Sequence, residues 1–138
     1  MTEANTAPSK KRPFNILIVD DAATMRAVLR RIVSLTELPI DNIYEARNGR
    51  EALKILEKES VQAVFTDINM PVMNGQELLR EIAKRESWSD ILRVVISTDG
   101  SKLRRDEARE LNVSLYVEKP FRPEVVRDVL AQITSPSC

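Results

Sequence analysis

Four charged side chains stand where three apolar runs of the sequence end. Asp20 and Asp21 follow the first of these runs, Asp67 follows the second, and Lys119 closes the third. If the runs are parallel strands, their carboxyl ends meet at one edge of a sheet, and the four side chains share one pocket. Neighbouring carboxylates repel one another and are costly to bury unpaired, and a cation removes both costs.

The side chains available for such a site favour a hard metal ion and phosphate chemistry. The chain contains no histidine, and oxygen ligands alone are what Mg²⁺ prefers. Lys119 adds a positive charge suited to a phosphoryl oxygen, and Thr98, at the end of another apolar run, adds a hydroxyl donor. A carboxylate nucleophile, a divalent ion, a lysine and a hydroxyl are the parts needed for phosphoryl transfer to Asp67.

Each of these residues also has a simpler structural interpretation. Asp20 or Asp21 could cap the helix that follows, although one cap explains only one of the two acids. Asp67 could be a turn residue. Lys119 could end an exposed strand, and Thr98 is of a residue type that is common in strands. Their joint position favours a shared site over these separate interpretations.

Apolar runs of strand length alternate with amphipathic segments of helix length. The sequence predicts strands at 16–19, 43–46, 61–66, 92–97 and 115–117, and helices at 23–35, 50–59, 76–85, 102–111 and 124–133. Strands that are apolar throughout are covered on both faces. We therefore expect an α/β fold, a doubly wound five-stranded parallel sheet with five helices. In the first helix we expect a buried stripe made of Met25, Val28, Leu29 and Ile32.

Composition narrows the class of protein further. The 138 residues suit one domain, expected at 13–133 between a disordered lead, 1–12, and a flexible tail, 134–138. Lys and Arg together number 21, as do Asp and Glu, which argues against a general affinity for nucleic acid. The lone cysteine, Cys138, the lead without a signal-peptide core and the lack of a long apolar stretch predict a cytoplasmic protein with no membrane span.

Four motifs, in this order and at this spacing, resemble the receiver domain of two-component response regulators, above all the stand-alone CheY-like type. They are Val19-Asp20-Asp21, the loop from Asp67 to Gly75, the pair Ser97-Thr98, and the segment from Tyr116 to Phe121. The resemblance spans about residues 14 to 133. It implies a flavodoxin-like sheet with strand order 2-1-3-4-5.

The resemblance also implies a role for each charged residue. Asp67 corresponds to the aspartate that accepts a phosphoryl group from a sensor histidine kinase. Asp20, Asp21 and Asp67 would hold Mg²⁺ together with the main-chain carbonyl of Asn69. Lys119 would contact the phosphoryl group, and its peptide bond to the next proline is often cis in this family.

The resemblance also assigns the family's conformational switch to two further residues. Thr98 would move toward the phosphoryl group on activation, and Tyr116 matches the aromatic residue whose ring orientation follows. The output face would comprise the fourth helix, the fifth strand and the fifth helix. It would bind an unidentified downstream protein of two-component signalling, chemotaxis being one such pathway. We expect no direct contact with nucleic acid or a membrane, and either a monomer or a phosphorylation-dependent dimer.

Two positions depart from the family pattern. Asp99 stands where a small residue is usual, and an acid there would repel the incoming group. Our hypothesis is that Asp99 changes the rate of phosphorylation or dephosphorylation; alternatively it begins the next helix or points to solvent. Arg93 replaces the usual proline at the start of the fourth strand.

Two other functions compete with the switch. The first is a protein-interaction module that works without phosphorylation, for which this complete set of acids, hydroxyl and lysine would be unnecessary. The second is a phosphohydrolase of the haloacid dehalogenase type. Such an enzyme needs a second aspartate two positions after the nucleophile, where this chain has Asn69. The sequence therefore favours a signalling switch that catalyses only its own phosphorylation and dephosphorylation.

Overall fold

The computed structural model describes residues 13–98 and 105–134, and for Arg105 it describes the backbone only. The predicted lead at 1–12, the predicted tail from residue 135 onward, the first residues of the predicted fourth helix, and Asp99 lie outside the described residues.

The described chain alternates strands and helices as predicted. The elements are β1 Asn15–Val19, α1 Ala23–Thr36, β2 Asn42–Ala46, α2 Gly49–Lys58, β3 Ala63–Thr66, α3 Gly75–Ala83, a 3₁₀ turn Glu86–Trp88, β4 Leu92–Ser97, α4 Arg105–Glu110, β5 Leu115–Glu118 and α5 Pro123–Thr134. All strand pairs in the sheet are parallel, in the order β2-β1-β3-β4-β5. The predicted fold class and strand order are confirmed.

The register of the sheet brings the ends of the strands together at one edge. Val19 at the end of β1 pairs with Thr66 at the end of β3. The amide of Asp67 continues this ladder by donating to the Val19 carbonyl at 2.9 Å, and the amide of Lys119 donates to the Ser97 carbonyl at 2.7 Å. Residues that directly follow the strands are therefore held by the sheet's own hydrogen bonds.

Two apolar layers cover the sheet, one on each face. The layer under α1 and α5 contains Ile16, Ile18, Phe65 and Val126, among others. The layer under α2 and α3 contains alternate strand residues such as Leu17 and Val64. A third, smaller cluster of Ile68, Leu79, Val95 and Leu111 lies against Ala108, Val113 and Tyr116. Since both faces are covered, the central strands are apolar throughout, as a doubly wound sheet requires.

The structure corrects several details of the predicted elements. Strand β3 begins at Ala63 rather than residue 61, and α3 ends at Ala83 rather than residue 85. The prediction that Val28 is buried was wrong, because it is 45% exposed. The buried residues of α1 are Leu29, Ile32 and Val33, spaced i, i+3 and i+4, so Val33 takes the place of Val28 while Leu29 and Ile32 are buried as predicted.

Candidate functional site

Three aspartates meet at the carboxyl edge of the sheet. Each of Asp20, Asp21 and Asp67 offers one carboxylate oxygen, and these oxygens lie within 4.8 Å of one another. Asp20 is buried, Asp67 is half-buried and Asp21 is exposed. The cluster therefore opens to solvent on one side and is rooted in the core on the other.

Lys119 lies between two of the three acids. Its Nζ is 3.0 Å from Asp20 Oδ2 and 3.3 Å from Asp67 Oδ2. The side chains are 11% exposed for Lys119, 4% for Asp20 and 12% for Asp67. One ammonium faces three carboxylates, so the site keeps an excess of negative charge that a divalent cation would neutralise.

Asp20 is fixed by the backbone around it and does not cap α1. Its Oδ1 accepts a hydrogen bond from the amide of Ala22 at 2.9 Å, while the N-cap residue of α1 is Ala22 itself, which has no side-chain cap bond. The carbonyl of Asp20 accepts from Arg26 at 2.6 Å, and Arg26 is paired with Glu45 at 2.9 Å. Sequence reasoning missed this support from Arg26, because no local motif links it to the acid.

The environment of Asp67 disfavours its ionised form. Its Oδ1 accepts from the amide of Ile68 at 2.7 Å. Burial raises the pKa of Asp67 and the charge of Asp20 adds to this, while Lys119 and the Ile68 amide act in the opposite direction without cancelling the rise. A carboxylate that is poorly stabilised is a stronger nucleophile, and it gains more from a bound cation.

Lys119 remains charged in this setting. Burial by itself lowers the pKa of Lys119, but the hydrogen bond and charge of Asp20, followed by those of Asp67, together outweigh burial and raise it. The larger contribution of Asp20 agrees with the distances, since Asp20 lies nearer to the ammonium than Asp67 does and stabilises its charged form more.

The loop from β3 to α3 is closed tightly behind Asp67. The amide of Gly75 donates to the Ile68 carbonyl at 2.8 Å, and a Cβ at Gly75 would overlap the carbonyl oxygen of Asp67. Asn74 and Glu77 form a capping box at the start of α3. Glycine at 75 is therefore a steric requirement of the site, and Asn69, the expected carbonyl ligand, lies exposed on this loop.

The two expected switch residues lie on neighbouring elements. Thr98 is exposed and directly follows β4; it is not among the described hydrogen-bond partners of the Asp67 carboxylate, which are the Ile68 amide and Lys119. Tyr116 is half-buried on the edge strand β5 and packs against the third apolar cluster. The peptide bond from Lys119 to Pro120 is cis.

The donor set fits a hard divalent cation. Oxygens on opposite sides of Mg²⁺ lie about 4.2 Å apart, so oxygens within 4.8 Å of one another need only a small side-chain adjustment to share an ion. The three acids supply oxygen alone, which suits Mg²⁺ better than a softer metal. Asp67 is also accessible from solvent, so it can meet a phosphodonor at the same point.

Among the described helices, we find none with the length and apolar character that crossing a bilayer demands.

Known proteins resemble this chain in both sequence and structure. A family model described as Response regulator receiver domain matches residues 16–131. A chemotaxis protein CheY homolog of Campylobacter jejuni is 36% identical over 121 residues, which is 87% of this chain and 92% of that protein. Chemotaxis protein CheY1 of Helicobacter pylori is 33% identical and matches 85% of this chain and 94% of that protein.

Solved structures share the fold. Chemotaxis response regulator CheY4 of Vibrio cholerae superposes with a TM-score of 0.77 at 24% identity, over 88% of this chain and 99% of that one. The receiver domain of the response regulator AraT from Geobacillus stearothermophilus gives a TM-score of 0.78 at 28% identity, over 89% and 94% of the two chains. With the acidic edge described above and the match over residues 16–131, the chain belongs to the family of response regulator receiver domains.

Proposed function

We propose that residues 13–133 form a phosphorylatable switch of two-component, chemotaxis-type signalling. In this proposal Asp67 accepts a phosphoryl group from a sensor histidine kinase, with Mg²⁺ bound by Asp20, Asp21, Asp67 and the carbonyl of Asn69. The observation that carries the proposal is the position of Asp67, a half-buried acid beside two others and 3.3 Å from Lys119. Members of this family are signalling switches and not classical enzymes, and we expect this one to work in the cytoplasm.

The chemistry assigned to these residues is a direct displacement. A carboxylate oxygen of Asp67 attacks the phosphorus atom, the bond from phosphorus to the imidazole nitrogen of the donor breaks, and that nitrogen keeps the electron pair. Mg²⁺, when bound, supplies positive charge against the oxygens of the transferring group. Lys119 supplies a second positive charge, and the Ile68 amide holds Asp67 Oδ1 so that the carboxylate keeps its orientation.

The switch that follows uses Thr98 and Tyr116. A phosphoryl group adds a charge of about −1.5 to −2 and three strong acceptor oxygens, and we expect the hydroxyl of Thr98 to turn toward them. Tyr116 packs against the third apolar cluster, which includes Ile68 next to Asp67 and Leu111 beyond α4. A change at Asp67 is therefore expected to alter the face formed by α4, β5 and α5, where a downstream protein would bind.

Intact mass after incubation with acetyl phosphate and Mg²⁺ tests this function. The proposal predicts an adduct of one phosphoryl group in the wild type and none in Asp67→Asn. Asp90→Asn, an exposed acid away from the cluster, is the matched control and should be modified like the wild type. No adduct under any condition would favour an interaction module that works without phosphorylation, and steady release of phosphate from many esters would favour a hydrolase.

The oligomeric state of the protein is tested by a second measurement. Light scattering of the protein, before and after formation of the adduct, distinguishes a constant monomer from a phosphorylation-dependent dimer. Asp99 can be tested at the same time, because Asp99→Ala should change the rate at which the adduct is lost if this acid repels the phosphoryl group.

A further inference from the structure

One carboxylate joins α4 to α3. Oε1 of Glu107 on α4 accepts from the side-chain amide of Gln76 at 2.6 Å, and its Oε2 accepts from Arg80 at 2.7 Å. Gln76 and Arg80 are one turn apart on α3, so Glu107 spans a single face of that helix. Gln76 and Arg80 are 31 and 27 positions away from Glu107 in the sequence, so both contacts are long-range.

These contacts matter because the described side chains of α4 bury little apolar surface. Within the described side chains of α4, from Asp106 to Glu110, none is buried, and only Glu107 and Ala108 are half-buried. The first buried residue is Leu111, which follows the helix and belongs to the small third cluster. A helical segment that buries as little apolar side chain as the described part of α4 depends largely on its polar contacts for its position.

The other end of the connection begins at the acidic site. Gln76 directly follows Gly75, whose amide is bonded to the carbonyl of Ile68 at 2.8 Å and where an added Cβ would overlap the carbonyl oxygen of Asp67. A movement of the Asp67 backbone therefore pushes on the first turn of α3, which carries Gln76.

We propose that Glu107 is a positioning residue through which α3 holds α4 in its resting place. The state of the Asp67 loop then reaches α4 through Gln76 and Glu107, in addition to the expected movements of Thr98 and Tyr116. The resting contact stands independently of the proposed function, whereas its role in transmitting phosphorylation rests on that function.

The two halves of the contact differ in strength. Arg80 is largely exposed, so its ion pair with Glu107 is screened by water and salt. The bond from Gln76 to the same carboxylate is less exposed and its donor is neutral, so water and salt weaken it less. Gln76→Ala should therefore loosen α4 more than Arg80→Ala, and only the effect of Arg80→Ala should shrink in high salt.

Hydrogen exchange in the unphosphorylated protein tests the resting contact. The amides of Leu111, Asn112 and Val113 bond to carbonyls of Glu107, Arg109 and Ala108, so they report on the end of α4. We expect Glu107→Ala and Gln76→Ala to speed their exchange by about three- to tenfold. Glu110→Ala, an exposed acid on the same helix, is the control and should leave them unchanged. Equal exchange in Glu107→Ala and Glu110→Ala would overturn the proposal.

The same amides, followed with acetyl phosphate and Mg²⁺, test the transmission. In the wild type we expect adduct formation to change their exchange, and in Glu107→Ala we expect at least half of that change to be lost although the adduct still forms. A full response in Glu107→Ala would overturn the transmitting role. If the wild type forms no adduct, the proposed function fails and the transmitting role fails with it, while the exchange of the unphosphorylated variants still decides the resting contact.

Discussion

The acidic site is held by the sheet, whereas the described part of α4 contacts the rest of the fold through side chains that are exposed or half-buried. Asp20, Asp67 and Lys119 each follow a strand directly, and their own amides extend the ladder into neighbouring carbonyls at 3.1, 2.9 and 2.7 Å. None of the described side chains within α4 is buried. The residues assigned to chemistry therefore lie on rigid backbone, while the helix assigned to output can respond to small changes.

The end of α4 is the exception to this contrast. Arg93 on β4 is only 2% exposed, and its guanidinium donates to the carbonyls of Leu111 and Trp88, each at 3.0 Å. Its Nε is buried without a described partner, and burial lowers its pKa. A main-chain carbonyl beyond α4 is thereby tied to the sheet, so Arg93 and Glu107 each contribute to the position of this end of the helix.

The largest expected effect lies at the rigid site. Gly75→Ala places a methyl group on the carbonyl of Asp67, and because both atoms belong to fixed backbone, we expect a loss of about 3 kcal/mol in the free energy of unfolding. Gly49→Ala is the matched control, since its two nearest contacts are side-chain atoms of Met73, at 2.6 and 2.9 Å, which can move aside. The one backbone contact there, the Met73 carbonyl oxygen at 3.0 Å, is farther away than the Asp67 carbonyl oxygen is from a methyl group at Gly75. Urea unfolding of both variants is the measurement; equal losses would contradict a rigid site.

A smaller loss is expected where α4 meets the sheet. Arg93→Met leaves the carbonyls of Leu111 and Trp88 without their donor, partly offset by removal of a buried charge, and we expect a loss of about 2 kcal/mol in the free energy of unfolding. Arg93→Lys keeps the charge but cannot reach both carbonyls with one planar group, so it should also lose stability. If both variants unfold like the wild type, the end of α4 is not anchored as described.

Removing one charge from the acidic site should stabilise the protein. The pKa of Asp67 is raised in the fold, so the folded state binds the proton more tightly and loses stability as pH rises above the ordinary carboxyl pKa of about 3.9. We expect Asp67→Asn to gain on the order of 1 kcal/mol at pH 7 and to lose this gain as the pH falls toward that value. Lys119 keeps Asp20 as its partner in this variant.

Two controls bracket this effect. Asp90→Asn, at an exposed position, should leave the unfolding free energy nearly unchanged at both pH values. Added Mg²⁺ should stabilise the wild type more than Asp67→Asn, because the cluster proposed to bind the ion exists only in the folded state. A loss of stability in Asp67→Asn at pH 7 would show that Lys119 already balances the site.

The smallest effect concerns the loop beside the site. Val72 is 72% exposed and has a φ of 68°, a left-handed conformation that a β-branched residue disfavours. Asparagine tolerates this region, so we expect Val72→Asn to gain about 0.5–1 kcal/mol in the free energy of unfolding. Val28→Asn, an exposed valine in the regular helix α1, should show no gain; a gain at both positions would mean that backbone strain is not the cause.

The sequence predicted the parts of the molecule that repeat a simple pattern. Apolar runs and alternating helices predicted the sheet, its helices and the residues that follow each strand, because burial on both faces leaves a local signature. The burial of Val33 in place of Val28 could not be told, since both lie near the edge of the apolar stripe. The support of Asp20 by Arg26 and the contact of Glu107 with Gln76 depend on side-chain geometry between separate elements, which no local pattern records.

Arg93 shows the same limit from another direction. Its departure from the family pattern was visible in the sequence, but its bonds to Leu111 and Trp88 required the packing of β4 against the end of α4. Thr98 and Tyr116 were assigned by resemblance, and their roles stay predictions.

Whether Asp67 accepts a phosphoryl group with the help of a divalent ion is decided by measuring the phosphoryl adduct as a function of Mg²⁺ concentration. Intact mass at fixed acetyl phosphate, measured over a range of Mg²⁺ and followed by mapping of the modified residue, reports both the ion and the acceptor. We expect an adduct on Asp67 whose rate of formation rises with Mg²⁺ concentration and then saturates. No adduct should form when the ion is removed by a chelator. An adduct that forms equally well without a divalent ion, or on another residue, would contradict it.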